Sequence, residues 1–347
     1  MFRLDSQHDT LPEILPSCHK MVKALIFGAG GVGSVYGWFL EQAGAEVTAV
    51  CRSNYSQVKE HGLQIRSKKW GKVFHRPITV ASAADAKQHG PFDYIVVCSK
   101  AFPETHLLIK EAIADDTAIV LAQNGIGIEE AYHTAYPKNS IISGVVYLPV
   151  VQIQQGVVEH GTPLECFEIG AYPAPGSSAE KEKIERFEQL FSAAGATCIA
   201  YDDVQSRRWY KLALNATLNP ICALTLCDDA NYLRSSDLAL EVACDVMREI
   251  GRVAASFGYN VISEETINEH MKRHIERLKT GGKAPSMLQD VEHGRPIEVE
   301  AILGNTLRLA AASKVETPYL KLLYTLAKGL NFSISRTDEW GALATVS

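Results

Sequence analysis

Up to residue 203 the chain alternates short apolar runs with amphipathic stretches, with glycine or proline between them. Val22 to Phe27 is apolar and ends in Gly28-Ala29-Gly30-Gly31-Val32-Gly33. A helical periodicity follows to about Ala43, Gly44 stops it, and Ala45 to Val50 is apolar again. Strand, glycine turn, helix and strand within about 30 residues predict the βαβ unit of a parallel sheet. Further strands are predicted at Asp93 to Cys98, Thr117 to Ala122, Ile141 to Tyr147, Val157 to His160, Cys166 to Ile169 and Thr197 to Tyr201. Helices are predicted at Pro103 to Ile113 and, closed by Gly195, at Ala179 to Ala194.

After Asp203 the apolar spacing becomes helical, through 204–219, 237–257, 264–278, 297–312 and 317–330. The fold class expected is α/β, with an N-terminal Rossmann-type dinucleotide-binding domain over 21–203 and a C-terminal all-helical domain over 204–335. Residues 1–20 are expected to be a flexible extension and 336–347 a C-terminal tail.

Composition narrows the function. With 34 Lys plus Arg against 40 Asp plus Glu, the net charge of −6 offers no basic face for nucleic acid or anionic membrane. A local basic pocket for a phosphate remains compatible with it. The eight cysteines are scattered without a C-x-x-C pair, and several, such as Cys98 in Ile-Val-Val-Cys, sit where a thiol behaves as a small hydrophobe. A disulfide framework or zinc finger is not expected, and the reducing cytoplasm is the expected compartment. No apolar run reaches the roughly 18–20 residues of a membrane helix. Ile141 to Val151 is broken by Ser143, Gly144 and Pro149, and residues 1–20, with Asp, Glu, His and two prolines, do not read as a secretory signal.

The glycine run lies in the context that a dinucleotide site requires. Gly28 permits the tight turn, Gly30 lets backbone approach a pyrophosphate, and Gly33 allows the helix to pack on the strand. The helix N-terminus then faces the phosphates. Where an NAD site places an acid, at the end of the second strand, this chain has Cys51-Arg52-Ser53. A guanidinium suits a 2′-phosphate, so NADP(H) is the cofactor expected, an exposed loop cation being the plainer reading of Arg52. Ser99-Lys100 and Gln123-Asn124-Gly125 follow predicted strands at their carboxyl ends, where ligands of open sheets bind. Ordinary turn chemistry would also place Asn-Gly there.

In Trp209 to Pro220, Lys211, Asn215 and Asn219 recur at i, i+4 and i+8 among apolar residues. Such a stripe is either the solvent face of the helix or a buried functional row. If buried, Lys211 needs a carboxylate or an anionic ligand. Further candidates stand in Ser286-Met287-Leu288-Gln289-Asp290 and Gly294-Arg295-Pro296-Ile297-Glu298. Ser286 could equally be a helix cap and Glu298 a first-turn acid. His270 and His274 have a metal-compatible i, i+4 spacing, but Lys272, Arg273, Glu276 and Arg277 around them read as a solvated face, and no metal is expected. Lys68-Lys69-Trp70-Gly71-Lys72 reads as a lysine-protected hairpin edge.

The glycine motif, the Gln123-Asn124-Gly125 turn, the Lys211/Asn215/Asn219 helix and the Ser286–Glu298 segment, in this order and spacing, resemble the ketopantoate reductase family over about 22–330. The resemblance implies NADPH-dependent reduction of a 2-oxo acid, ketopantoate to pantoate, on the way to coenzyme A. It implies that Lys211 is the proton donor and that Glu298 orients substrate and lysine. It places Gly28, Ala29, Gly30, Gly31, Val32, Gly33, Arg52, Lys100, Asn124, Val150 and Glu298 at the cofactor. It places Asn124, Asn215, Asn219, Asp229 and Ser286 at the substrate, Ser286 holding the carboxylate, and it allows for a homodimer.

Asp229-Ala230 replaces the family's usual Asn-Gly, Ile297 a frequent threonine, and Leu148-Pro149-Val150 small or polar residues. An Asp229 lining the pocket would repel an anionic substrate. A relative reducing a different oxo compound is therefore the alternative. A non-catalytic NADP(H) sensor is a further one, against which the Lys211, Ser286 and Glu298 set speaks.

Overall fold

A computed structural model describes residues 21–344, with side chains as far as Arg336; the expected extension 1–20 and residues 345–347 of the expected tail lie outside the described residues. Strand β1 (Lys23–Phe27), helix α1 (Gly31–Gln42) and β2 (Glu46–Val50) form the βαβ unit. The other strands are β3 (Leu63–Ser67), β4 (Gly71–His75), β5 (Ile78–Val80), β6 (Tyr94–Val97), β7 (Ala118–Leu121), β8 (Ile141–Tyr147), β9 (Val150–Gln154), β10 (Val157–His160), β11 (Cys166–Tyr172) and β12 (Cys198–Ala200). Helices α2 (Tyr55–His61), α3 (Ala83–Ala86), α4 (Glu129–Ala135) and α5 (Ser178–Ala193) complete this half. Ser177 and Glu180 form a reciprocal capping box at the start of α5.

The large sheet has the order β12-β11-β8-β7-β6-β1-β2-β5. β5, β2, β1, β6, β7 and β8 run parallel, and β11 and β12 run antiparallel to them. β1 lies between β2 and β6, so the glycine loop after β1 opens at the point where the winding reverses, the ligand crevice of such sheets. The sheet is buried on both faces: Tyr36 and Phe39 of α1 and Phe187 and Phe191 of α5 pack with Phe167 of β11 on one side, and Ile109 packs with Ile95, Ile119 and Leu121 on the other. A smaller sheet, β4-β3-β10-β9, sits alongside. Its β3–β4 hairpin is the one expected at the lysine cluster, with Trp70 stacked on His160 at 4.7 Å between ring centroids.

The helix expected over Pro103 to Ile113 is a 3-10 helix, Thr105–Ala112. The Thr105 hydroxyl donates to Lys100 O and accepts from Phe102 N, local bonds that compete with helical ones.

Beyond β12 the chain is helical: α6 (Gln205–Thr225), α7 (Asp229–Ser235), α8 (Ala239–Ser256), α9 (Glu264–Thr280), α10 (Ser286–Glu292), α11 (Asn305–Ala312) and α12 (Pro318–Ala344). The single helix expected over 297–312 is split, since Glu300–Gly304 is a π-helical turn ahead of α11. Such turns are rare and concentrate at functional sites. The two halves share their cores: Ala301 packs in the sheet core, and Ile126 packs in the helical one. Among the described residues no helix is long and apolar enough to cross a membrane.

Candidate active site

The glycine loop is shaped by close approaches that exclude side chains. Gly28 has φ +102°, and a Cβ there would lie 2.7 Å from Ser99 N; one on Gly33 would lie 2.1 Å from Gly28 O. Above Gly30 the nearest atom to such a Cβ is Gln152 Oε1 at 4.0 Å, so its face is open. Gly30 is the N-cap of α1 and carries no side-chain cap, which leaves first-turn N–H groups for a ligand. Val150 closes over this start, its Cγ2 being 2.9 Å from the Cβ position of Gly31. Asn54 fixes the loop from the side, donating from Nδ2 to Ala29 O at 2.9 Å. Val32 packs partly buried against the sheet core, and Arg52 is exposed at the carboxyl end of β2. Ser99 Oγ is buried without a partner among the described residues. An open cradle, free helix N–H groups and an orphaned hydroxyl fit the pyrophosphate of a dinucleotide.

Lys211 projects from α6 toward the carboxyl ends of β7 and β8. Its Nζ donates to Asn124 Oδ1 at 2.9 Å and to Val146 O at 2.5 Å, and it lies 5.4 Å from the centre of the Tyr147 ring. Among the described residues no carboxylate touches it. Burial, then the nearby Arg208 charge, push its ammonium down to about 7, against a smaller upward pull from Glu298 and Glu168. Lys211, Asn215, Asn124 and Gly125 line one small cleft together with Arg208. The polar stripe is thus turned inward. Gly125, at φ +104°, is pressed against the π-helical turn, and Ile126 N donates to Ala301 O at 3.1 Å.

Glu298, ahead of that turn, is buried and accepts from Ala101 N at 2.9 Å. Burial raises its carboxyl above the ordinary range, outweighing the Ala101 N–H and the Lys100 charge. Lys100 reaches Pro296 O at 3.0 Å and Asp290 Oδ2 at 2.5 Å, so consecutive residues of the loop after β6 tether both ends of the 290–298 segment. Asn219 is buried and its Nδ2 lies 3.5 Å from the Oγ of Ser286, which is exposed. Pro285, rather than Ser286, is the N-cap of α10, so the serine hydroxyl is not spent on capping.

Asp229 corrects the expectation that it lines the substrate pocket. It is fully buried at the start of α7, and both oxygens are occupied. Oδ1 accepts from Ala230 N at 2.9 Å and Lys283 N at 2.6 Å; Oδ2 meets His274 Nδ1 at 2.6 Å and Arg277 Nη1. Burial works to raise its carboxyl, but His274, the Lys283 N–H and Arg277 outweigh it and hold it well below the carboxylate range. His270 and His274, read from their charged neighbours as a solvated face, are both 7% exposed. His270 Nε2 lies 3.1 Å from Tyr210 O while His274 pairs with Asp229, so α9 turns this side to α6 and α7.

Several residues at the site carry no sequence motif. Arg208 and Glu129, 3% and 0% exposed in their side chains, form an ion pair at 2.8 Å one turn before Lys211. Asn54 likewise acts through a partner distant in sequence, Ala29. Nothing local marks Arg208, which stands beside Arg207 in the polar first turns of α6.

The family description "Ketopantoate reductase PanE/ApbA" matches residues 24–174, and its C-terminal counterpart matches residues 203–331. A 2-dehydropantoate 2-reductase of Nostoc sp. is 28% identical, spanning 89% of this chain and 95% of its own. The crystal structure of 2-dehydropantoate 2-reductase from Methylococcus capsulatus superposes with a TM-score of 0.78 at 32% identity, covering 91% of this chain and 99% of the other. A ternary structure of D-mandelate dehydrogenase with NADH and anilino(oxo)acetate shares the fold, with a TM-score of 0.79 at 24% identity over 90% of this chain and 99% of that one. Two matched regions that together span most of the sequence place the chain: it belongs to the ketopantoate reductase family of oxidoreductases.

Proposed function

We propose that the protein reduces a 2-oxo acid with NADPH, 2-dehydropantoate to pantoate being the reaction favoured, and that Lys211 donates the proton. The observation that carries this reading is a desolvated ammonium held by two neutral acceptors at the rim of a dinucleotide crevice. The reduced nicotinamide, when bound, supplies a hydride to the oxo carbon. Negative charge then gathers on the oxo oxygen, and an ammonium within hydrogen-bond reach stabilises it and gives up a proton. Of its three N–H groups Lys211 uses two on Asn124 and Val146, leaving one for that oxygen. Because the lysine titrates near neutrality, it is an efficient acid there, which a solvated lysine is not.

Asn215, Asn219 and Ser286 supply neutral amide and hydroxyl groups for the carboxylate and hydroxyl of the substrate. Glu298, held by Ala101 N, orients the substrate and the amine. Gly28 through Gly33 and Val150 receive the pyrophosphate. Lys100 and Asn124 stand at its junction with the substrate, and Arg52, exposed beyond β2, meets the 2′-phosphate.

A second reading, the same chemistry on a bulkier 2-oxo acid, is favoured by one feature. The Tyr147 ring lies 5.4 Å from Lys211 Nζ, and Pro149 and Val150 follow it half-buried, an aromatic and apolar stretch. The test is a panel of 2-oxo acids followed by NADPH and NADH absorbance. The expected result is fastest NADPH oxidation with 2-dehydropantoate. Faster turnover of an aryl 2-oxo acid favours the second reading, and no turnover of any 2-oxo acid contradicts both.

A further inference from the structure

Arg208 stands three residues before Lys211 on α6, and every group on its guanidinium is engaged. Nη1 donates to Gln123 O at 3.0 Å and to Gly125 O at 2.9 Å, the two carbonyls that flank Asn124. Nη2 donates to Ser143 Oγ and to Gly144 O, each at 2.9 Å, on the strand that continues to Val146. Nε pairs with Glu129 Oε1 at 2.8 Å. Glu129 Oε1 is held in turn by Ser143 Oγ at 2.6 Å and Gln205 Nε2 at 2.9 Å. A buried ion pair alone would need one carboxylate. Here four further bonds go to the two segments that hold the acceptors of Lys211, a pattern available to a planar fork and not to an ammonium.

We propose that Arg208 is a positioning residue for the proton donor, a fork that sets the Gln123–Gly125 turn and the Gly144–Val146 strand so that Asn124 Oδ1 and Val146 O meet Lys211 Nζ. This rests on the reading of Lys211 as the proton donor. Arg208 also bears on the charge of the amine, alongside the groups that reach it from other elements: Glu298 from the loop before the π-helical turn, Glu168 from β11 and the Tyr147 ring from β8. Glu129 keeps the guanidinium compensated, so removing Arg208 alone strands a buried carboxylate.

The experiment compares Arg208→Lys, which keeps the charge and loses the fork, with Asn124→Ala and with the two combined. NADPH affinity, by fluorescence titration, should stay within about twofold in Arg208→Lys while kcat falls about 10- to 100-fold, the usual consequence of a misplaced catalytic group. In the Asn124→Ala background the same substitution should cost several-fold less than in the unmodified protein, because one of the two acceptors it positions is already gone. Independent losses in the two variants overturn the proposal. So does an unchanged kcat, or a joint loss of NADPH binding, which marks a general scaffold.

A second measurement does not depend on turnover. Competitive acetylation of Lys211 against pH, read by mass spectrometry, should titrate near 7 in the unmodified protein. In Arg208→Met/Glu129→Gln, which removes the pair without stranding a charge, the titration should move up by about one unit. An unmoved titration overturns the proposal. If the unmodified protein reduces no 2-oxo acid, the proton-donor reading fails, while this labelling still decides whether Arg208 governs the amine.

Discussion

Lys211 near the start of α6 and Asp229 just beyond its end are both charged groups taken out of water, and their surroundings differ in kind. Asp229 has four donors for its two oxygens, two of them from cationic or titratable side chains, and its charge is held firmly. Lys211 has two neutral acceptors and a like charge one turn away, and its ammonium is held loosely. A satisfied buried charge stabilises packing between helices. An under-compensated one, beside a ligand crevice, is poised to release a proton.

That contrast can be broken most severely at Lys211. Lys211→Ala should lower turnover by about 10²- to 10⁴-fold, the worth of a positioned general acid, while NADPH affinity stays near normal. Steady-state rates beside a fluorescence titration check it; loss of both would make the helix structural. Asp229→Ala should do the reverse. Breaking a buried pair from one side costs about 3–5 kcal/mol of stability, read as a lowered urea midpoint, with the KM for the oxo acid unchanged once the protein is folded. A changed KM would return Asp229 to the pocket.

The sign with pH follows from its depressed carboxyl. Its stabilisation is present above the ordinary carboxylate pKa of about 3.9 and is lost as pH falls toward the lower folded value. Acid should therefore narrow the stability gap between the unmodified protein and Asp229→Ala. The smallest effect belongs to Arg52, a charge left in water at the sheet edge. Arg52→Ala should remove about 1–3 kcal/mol of preference for NADPH over NADH, measured by paired titrations.

The parts legible in the sequence were those carried by local pattern. Strand, glycine turn and helix around Gly28–Gly33 are adjacent in the chain, and the i, i+4, i+8 spacing of Lys211, Asn215 and Asn219 fixes a helix face without reference to anything else. The Arg208 fork was hidden, because its partners at 123, 125, 129, 143 and 144 meet it only when β7, β8 and α4 are assembled. The surroundings of Asp229 are hidden for the same reason: its partners Arg277 and Lys283 lie about 50 residues on, and no local rule turns its carboxylate away from a pocket. The burial of His270 and His274 is masked because lysines, arginines and glutamates interleave with them on α9, while the helix buries a narrow side against α6 and α7. The π-helical turn after Glu298 was likewise invisible to an apolar period that runs smoothly through 297–312.

The most direct test of the central claim is the pH dependence of kcat/KM for reduction of the oxo acid with saturating NADPH. A lysine held near 7 predicts a rate that is level in mild acid and falls about tenfold per pH unit above neutrality, as the ammonium loses its proton. A rate that stays level to about pH 10, the range of an ordinary lysine, would contradict it.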